Sequence, residues 1–127
     1  MTAEQENWRD PYSKQAHEPG AKLDAGKPRM GLVMDGFARS LTEVGKVGTY
    51  GAEKYSDHGF LHVQDGVARY TDAMHRHFLA ESAEGPFDAE SDLLHAAHGA
   101  WNALARLELM LRERGRVTGI DVVEVGS

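Results

Sequence analysis

Three polar side chains interrupt an apolar stretch in the C-terminal part of the chain. Between positions 93 and 105 the strongly polar residues are His95, His98 and Asn102. With Ser91 they follow an i, i+4, i+7, i+11 spacing, which places them on one face of a helix. A face turned to solvent would more often carry Lys, Glu or Arg, so this stripe is predicted to face an enclosed polar cleft or a subunit interface.

The two histidines of this stripe have a spacing that suits chemistry. Side chains three residues apart on a helix lie about 5–6 Å apart at Cβ, and neutral imidazole is a common ligand of transition metals. His95 and His98 could therefore share a metal ion or flank a phosphate. The alternative is that both are hydrogen-bonded core histidines that brace the packing of helices.

Acidic side chains are a second source of ligands. Asp88 and Glu90 precede His95 closely, and such a group suits a hard divalent cation, Mg²⁺ or Mn²⁺. The alternative is that Asp88 caps the following helix and that Glu90 interacts with the positive end of its dipole. Glu43 and Glu53 could ligate a metal or orient water as a general base. Alternatively, they form ordinary ion pairs.

Cationic side chains at four places could neutralise a phosphate. Lys27 and Arg29 flank Pro28 in a turn-rich loop, and Lys54 and Arg76 lie on predicted helices. Arginine can bind a phosphate through two hydrogen bonds. Solvated surface charges are the alternative for all four.

The elements that must position these residues are three amphipathic helices. The periodicity predicts an all-α helical bundle with helices over about 35–55, 66–82 and 88–114. Predicted core stripes comprise Phe37, Leu41, Val44 and Gly48 on the first helix, and Leu94, Ala97, Trp101, Leu104 and Leu111 on the third. We assign residues 1–19 to a polar arm, 20–115 to the helical domain and 116–127 to a tail.

The bulk composition excludes several classes of protein. The chain has 127 residues, no cysteine and a net charge of −6, which argues against a duplex nucleic acid partner and excludes disulfides and thiolate metal sites. No apolar run approaches the length of a membrane span, and no secretory leader is evident. We therefore expect a cytoplasmic protein with no membrane partner. The thin three-helix core favours a homo-oligomer, a dimer or higher.

Several short segments resemble the phage family described as the N-terminal domain of dATP/dGTP diphosphohydrolases. They are Gly20-x-Lys22-x-Asp24-x-Gly26-Lys27-Pro28-Arg29, Glu43-Val44, Gly51-Ala52-Glu53-Lys54-Tyr55, Arg76-His77, Asp88-x-Glu90-Ser91 and His95-x-x-His98-x-x-x-Asn102. The resemblance covers roughly residues 20–110. This family is similar to the MazG-type all-helical pyrophosphohydrolases, which use Mg²⁺ or Mn²⁺ to cut a nucleoside triphosphate into monophosphate and pyrophosphate.

The resemblance implies a site for a (d)NTP, a purine dNTP in particular. It also implies that the protein, if a phage encodes it, is located in the cytoplasm of a bacterial host. The expected catalytic residues are Glu43, Glu53 and His77. The expected substrate-binding residues are Lys27, Arg29, Lys54, Tyr55, Arg76 and Asn102. The expected metal ligands are Asp88, Glu90, His95 and His98. In place of the paired acids of the MazG pattern, the third helix carries its two histidines.

Three functions remain open at this point. The first is a metal-dependent (d)NTP pyrophosphohydrolase. The second is a non-catalytic nucleotide-binding protein that sequesters a nucleotide, and the third is a structural helical oligomer whose histidines only brace helices. Product analysis with and without metal separates the first from the others, and melting shifts with nucleotides separate the second from the third.

Overall fold

The computed structural model describes residues 9–118, with side chains up to Gly115, and the regular elements of this part of the chain are helices. The elements are α1 (Gly31–Gly36), α2 (Ala38–Lys54), a short 3₁₀ helix (Gly59–His62), α3 (Gly66–Glu84) and α4 (His95–Thr118). Within these residues the only β-type pairing is an isolated bridge between Phe87 and Leu94. The all-α class is thus confirmed, with α2, α3 and α4 as the three long helices.

The chain divides into two compact units, Met1–Phe37 and Ala38–Ser127. In the described part of the first unit, the buried carboxylate of Asp10 organises a series of turns. Its Oδ1 accepts a hydrogen bond from the backbone N–H of Tyr12 and its Oδ2 accepts one from that of Lys22, both at 2.7 Å. The hydrogen bond from Lys22 is the main cause that lowers the pKa of Asp10. Residues 1–8 of the predicted arm lie outside the described residues.

The second unit is built on α4, against which both α3 and α2 pack. Its buried apolar residues are Val47, Ala97, Ala105 and Leu109. Small residues bring the helices close together, since a Cβ at Gly99 would collide with the ring of Phe78 on α3. The buried apolar core of the described residues is small, since only these four residues belong to it.

The predicted core stripes are partly wrong. Ala97 is buried, but Leu104 and Leu111 on α4 are exposed, as is Phe37. On α2 the buried residue is Val47, which is not part of the predicted stripe. Helical periodicity identifies an apolar face but does not tell which apolar residues the neighbouring helices cover.

The boundaries of two helices also differ from the prediction. The first helix, expected from position 35, is interrupted at Phe37, whose φ of −118° and ψ of 26° leave the helical region. The third helix begins at His95 rather than after Asp88, and it continues through Gly115 to Thr118. Residues 116–118, which the sequence assigned to the tail, are thus helical, and residues 119–127 lie outside the described part of the chain.

The segment between α3 and α4 is a tight loop, and it positions Asp88. The backbone N–H of Asp88 donates to the carbonyl of Leu93, and that of His95 donates to the carbonyl of Pro86, both at 2.8 Å. Asp92 adopts a left-handed conformation, with φ of 59°, which turns the chain back toward the helix. Asp88 therefore makes hydrogen bonds within this loop. The prediction that it caps the third helix is wrong.

Gly85 makes this loop possible, and its replacement by alanine is expected to destabilise the protein. Its φ of 118° and ψ of 177° lie in a region that is essentially restricted to glycine. We expect Gly85→Ala to lower the free energy of unfolding by about 1–3 kcal/mol in a denaturant titration. Gly45→Ala is the matched control, because a Cβ on this helical glycine meets no atom within 4 Å and should stabilise α2. Equal free energies of unfolding for the two variants would contradict the conclusion that the backbone conformation at position 85 requires glycine.

A row of exposed leucines runs along α4. Leu104, Leu107 and Leu111 follow an i, i+3, i+7 spacing and are all exposed in the single chain. Association of two or more chains could bury this apolar surface. The homo-oligomer expected from the sequence stays a prediction. Of the helices that the structure describes, none is both long enough and apolar enough to cross a membrane.

Candidate functional site

The second unit contains a cavity of about 610 Å³ that is lined by α2, α3, α4 and the 3₁₀ helix. This volume falls in the range of pockets that hold small molecules and cofactors. One part of its wall carries ionisable groups, namely Tyr50, Lys54, His77, Asp88, Glu90 and His98. Another part is aromatic, with Phe60, Tyr70 and Trp101. The cavity can therefore accept a ligand that has a charged end and a flat apolar end.

Three histidines form a cluster at the charged part of the wall. The Nδ1 atoms of His77 on α3 and His95 on α4 lie 2.8 Å apart, so that one ring donates and the other accepts a hydrogen bond. The ring of His77 also stacks on that of His98, with centroids 4.3 Å apart and planes 6° apart. The stripe predicted on the third helix is thus buried against α3: His95 is 4% exposed and His98 is 9% exposed.

A chain of hydrogen bonds links Asp88 to His98 through Ser91. Asp88 Oδ2 accepts hydrogen bonds from the backbone N–H and from the hydroxyl of Ser91, each at 2.8 Å. Ser91 Oγ in turn lies 2.7 Å from His98 Nε2. Because the hydroxyl proton is directed to the carboxylate, Ser91 must accept from His98, which requires the tautomer with a proton on Nε2. His98 Nδ1 then remains available to accept a proton.

Three of these side chains are close enough to hold one metal ion. Ligand atoms of His77, Asp88 and His95 all lie within 4.8 Å of one another. The 2.8 Å between the two Nδ1 atoms is close to the separation of about 3 Å between neighbouring ligands of an octahedral ion with 2.0–2.1 Å bonds. Two imidazoles and one carboxylate are also a donor set that proteins use for transition metals. The residues present therefore fit a divalent metal ion.

The ionisation of the cluster favours metal binding as well. Burial lowers the pKa of His77, and the nearby His98 lowers it further. Burial also lowers the pKa of His98, against the opposing effect of Asp88. Burial by itself would raise the pKa of Asp88, but the hydrogen bonds from Ser91 outweigh it and lower this pKa. At neutral pH His77 and His98 are thus neutral beside an ionised Asp88, and neutral imidazole and carboxylate are the forms that bind metals.

The lowered histidine pKa values predict that the metal-free protein loses stability in mild acid. Below about pH 6.5, the ordinary pKa of histidine, His77 and His98 bind protons in the unfolded chain more readily than in the folded protein, where their pKa values are lower. The free energy of unfolding should therefore fall as the pH decreases, by up to about 1.4 kcal/mol per pH unit for each histidine. Denaturant titrations with chelator between pH 7.5 and 5 measure this slope.

The matched variants for that measurement are His98→Asn and His75→Asn. The first removes one of the buried imidazoles and should reduce the slope, whereas the second changes an exposed residue on α3 and serves as the control. A slope that is unchanged in His98→Asn would show that this imidazole is not held neutral in the folded protein.

Lys54 brings a positive charge to the charged wall of the cavity. Its Nζ lies 2.7 Å from Glu90 Oε1 and 5.3 Å from the centroid of the Tyr55 ring. The hydrogen bond from Lys54 lowers the pKa of Glu90, and the same bond raises the pKa of Lys54. The pair is exposed, so it contributes little to stability and can rearrange when a ligand arrives.

Three further predicted site residues of the second unit do not line this cavity. Glu43 pairs with Lys46 at 2.7 Å and does not line the cavity. Glu53 is exposed and lines a separate shallow groove with Ser91, while Arg76 is exposed on α3. The other two predicted cations, Lys27 and Arg29, are exposed residues of the first unit.

Sequence reasoning did not identify the aromatic wall as part of a site. The rings of Phe60 and Trp101 are 5.4 Å apart and those of Tyr70 and Trp101 are 5.6 Å apart, both pairs edge to face. Trp101 and Tyr70 follow the apolar spacing of ordinary core residues, so their types carried no signal of a pocket. Gly48 on α2 lies close to this wall, since a Cβ there would be 3.4 Å from Trp101 Nε1.

Comparison with known protein families identifies the family to which this chain belongs. The model of the family described as dATP/dGTP diphosphohydrolase, N-terminal, matches residues 17–118. No curated protein and no solved structure gives a significant match. The matched range covers most of the chain, and the chain therefore belongs to this family.

Proposed function

We propose that this member of the dATP/dGTP diphosphohydrolase N-terminal family hydrolyses a (d)NTP, in particular a purine dNTP, to the monophosphate and pyrophosphate with the help of a divalent metal ion. The observation that carries the proposal is the group of His77, Asp88 and His95, whose ligand atoms lie within 4.8 Å of one another. His77 and Asp88 line a cavity that has the volume of a nucleotide-sized pocket. The family description supports the substrate class.

In this proposal the metal is held by His77, Asp88 and His95, so that the roles expected from the sequence change. His77 becomes a ligand rather than a catalytic group, and Glu90 serves as the partner of Lys54. A bound divalent cation would offset the negative charge of the triphosphate and of the transition state. Lys54 adds a second positive charge when its ammonium turns from Glu90 to a phosphate oxygen.

His98 is the proposed proton acceptor. A water oxygen forms a bond to phosphorus, and the bridging P–O bond between the α- and β-phosphates breaks, so that pyrophosphate leaves with the electron pair. The proton lost by water passes to Nδ1 of His98, which is neutral because burial lowers its pKa. Ser91 and Asp88 hold the ring in the tautomer that has this nitrogen free.

The test is a product analysis with a panel of ribo- and deoxynucleoside triphosphates, with Mg²⁺, with Mn²⁺ and with chelator. Metal-dependent formation of monophosphate plus pyrophosphate, reduced at least about 100-fold in His98→Asn, is the expected result. Release of inorganic phosphate would contradict the proposed bond cleavage. His75→Asn, exposed on the same helix as His77, is the control.

A non-catalytic nucleotide-binding protein is the second candidate. One observation favours it: among the residues that the structure describes, Asp88 is the single carboxylate in the ligand group. Mg²⁺ takes oxygen ligands, so a group of two imidazoles and one carboxylate suits this ion poorly. Intact nucleotides after incubation, together with a rise in melting temperature on adding the same nucleotides, would establish this function instead.

A further inference from the structure

The side chain of Asn102 lies in the cavity wall without a partner. Asn102 is only 5% exposed. Its two neighbours on the same helix face have partners, since His95 contacts His77 and His98 contacts Ser91. In contrast, the carboxamide of Asn102 makes no hydrogen bond to any residue between positions 9 and 118.

This carboxamide opens on the cavity. No fully enclosed side-chain nitrogen or oxygen of the described residues lacks a partner, so the unpaired amide atoms of Asn102 retain access to the cavity that the residue lines. Because they face the cavity, these atoms can exchange hydrogen bonds with water for hydrogen bonds with a ligand. The amide is therefore available to bind a polar group of a ligand.

The surroundings of Asn102 define the chemistry of that ligand. Asn102 shares the lining of the cavity with three aromatic residues, Phe60, Tyr70 and Trp101. The ring centroids of Phe60 and Tyr70 lie 5.4 and 5.6 Å from that of Trp101. A cavity lined by aromatic rings and an amide suits a flat heterocycle that stacks or makes edge contacts and that has hydrogen-bonding groups on its rim. The histidine cluster and Lys54 line the charged part of the same cavity.

We infer that Asn102 reads the nucleobase of the substrate and thereby determines base specificity, an inference that rests on the proposed function. A carboxamide offers one donor and one acceptor side by side, which match the donor and acceptor groups on the rims of both purines. The phosphates occupy the charged end of the cavity and the base occupies the aromatic end. Asn102 thus contributes to nucleotide binding but not to binding of the phosphates themselves.

The experiment compares two probes by calorimetry in the presence of Mn²⁺. They are a non-hydrolysable dATP or dGTP analogue with a methylene bridge between the α- and β-phosphates, and inorganic tripolyphosphate, which has no base. We expect Asn102→Leu to weaken binding of the nucleotide analogues at least tenfold and to leave tripolyphosphate binding unchanged. Gln64→Leu, which removes an exposed amide, is the matched control.

A second variant keeps the test decisive if the leucine variant does not fold. Asn102→Asp retains the shape but can only accept hydrogen bonds when it is ionised, and guanine presents adjacent donors on its Watson–Crick edge that adenine lacks. We expect this variant to shift the ratio of affinities toward the dGTP analogue.

Equal losses of affinity for nucleotide and tripolyphosphate, or unchanged affinity and an unchanged dGTP-to-dATP ratio in the variants, would overturn the inference and leave the proposed function standing. Failure of the unaltered chain to bind or hydrolyse any nucleotide would overturn the proposed function, and this inference with it.

Discussion

Replacing either His77 or His95 by alanine is expected to abolish metal binding and, with it, nucleotide hydrolysis. Each variant removes one of three groups whose ligand atoms lie within 4.8 Å of one another. Loss of a group that only orients a ligand already costs about 10–100-fold in affinity or activity, so loss of the ligand itself should cost at least about 100-fold. Isothermal titration with Mn²⁺ measures the affinity directly, independent of turnover.

One further variant separates this ligand set from the one that the sequence suggested. If Asp88, Glu90, His95 and His98 held the ion, Glu90→Gln would weaken Mn²⁺ binding, whereas the His77, Asp88 and His95 set predicts no loss. His75→Ala is the control on α3, because this residue is exposed. Folded His77→Ala that bound Mn²⁺ with the original affinity would place the metal elsewhere, and far-ultraviolet circular dichroism establishes whether each variant is folded.

The second large effect concerns the identity of the metal. Mg²⁺ prefers oxygen ligands and gives up its waters reluctantly, whereas imidazole nitrogens bind the later transition metals with rising affinity from Mn²⁺ through Co²⁺ to Ni²⁺. With two imidazoles from His77 and His95 in the proposed ligand set, the protein should bind Mn²⁺ at least about tenfold more tightly than Mg²⁺. Co²⁺ should bind more tightly again. Competition titrations against a metal-sensitive dye provide these affinities.

A matched variant tests whether the imidazoles cause that preference. His95→Asp replaces a nitrogen ligand by oxygen ligands on the same helix, and it should narrow the difference between Mn²⁺ and Mg²⁺. His62→Asp makes the same change at an exposed position on the 3₁₀ helix and should leave the preference intact. Mg²⁺ binding as tight as Mn²⁺ binding in the unaltered protein would show that His77 and His95 are not the ligands.

The sequence was informative where the relevant interactions are local. Helical periodicity is set by neighbours three and four residues apart, and it identified three long helices together with the face of α4 that carries His95, His98 and Asn102. The apolar surroundings of that face correctly indicated that these polar residues are buried. The family was recognisable for a related reason, since it is identified by the order and spacing of short motifs in the sequence.

Contacts between elements depended on packing, which local spacing does not encode. Because α4 begins at His95, Asp88 lies in the preceding loop. There its carboxylate accepts a hydrogen bond from Ser91, which in turn is hydrogen-bonded to His98. That start is determined by the backbone of the loop, in particular by Gly85 and Asp92 with their positive φ angles. A short polar segment before a helix is compatible with either a cap or a turn, so the sequence could not distinguish them.

The sequence by itself determined the class of fold, the family and the buried stripe of α4, because each depends on residue type and short-range spacing. Only the tertiary structure decided which residues meet: His77 with His95 across 18 positions, Lys54 with Glu90 across 36, and Phe60 with Trp101 in the wall of the cavity. The physical reason is that a ligand group or a cavity requires atoms a few ångströms apart. The packing of α2 and α3 on α4 brings distant residues to that separation.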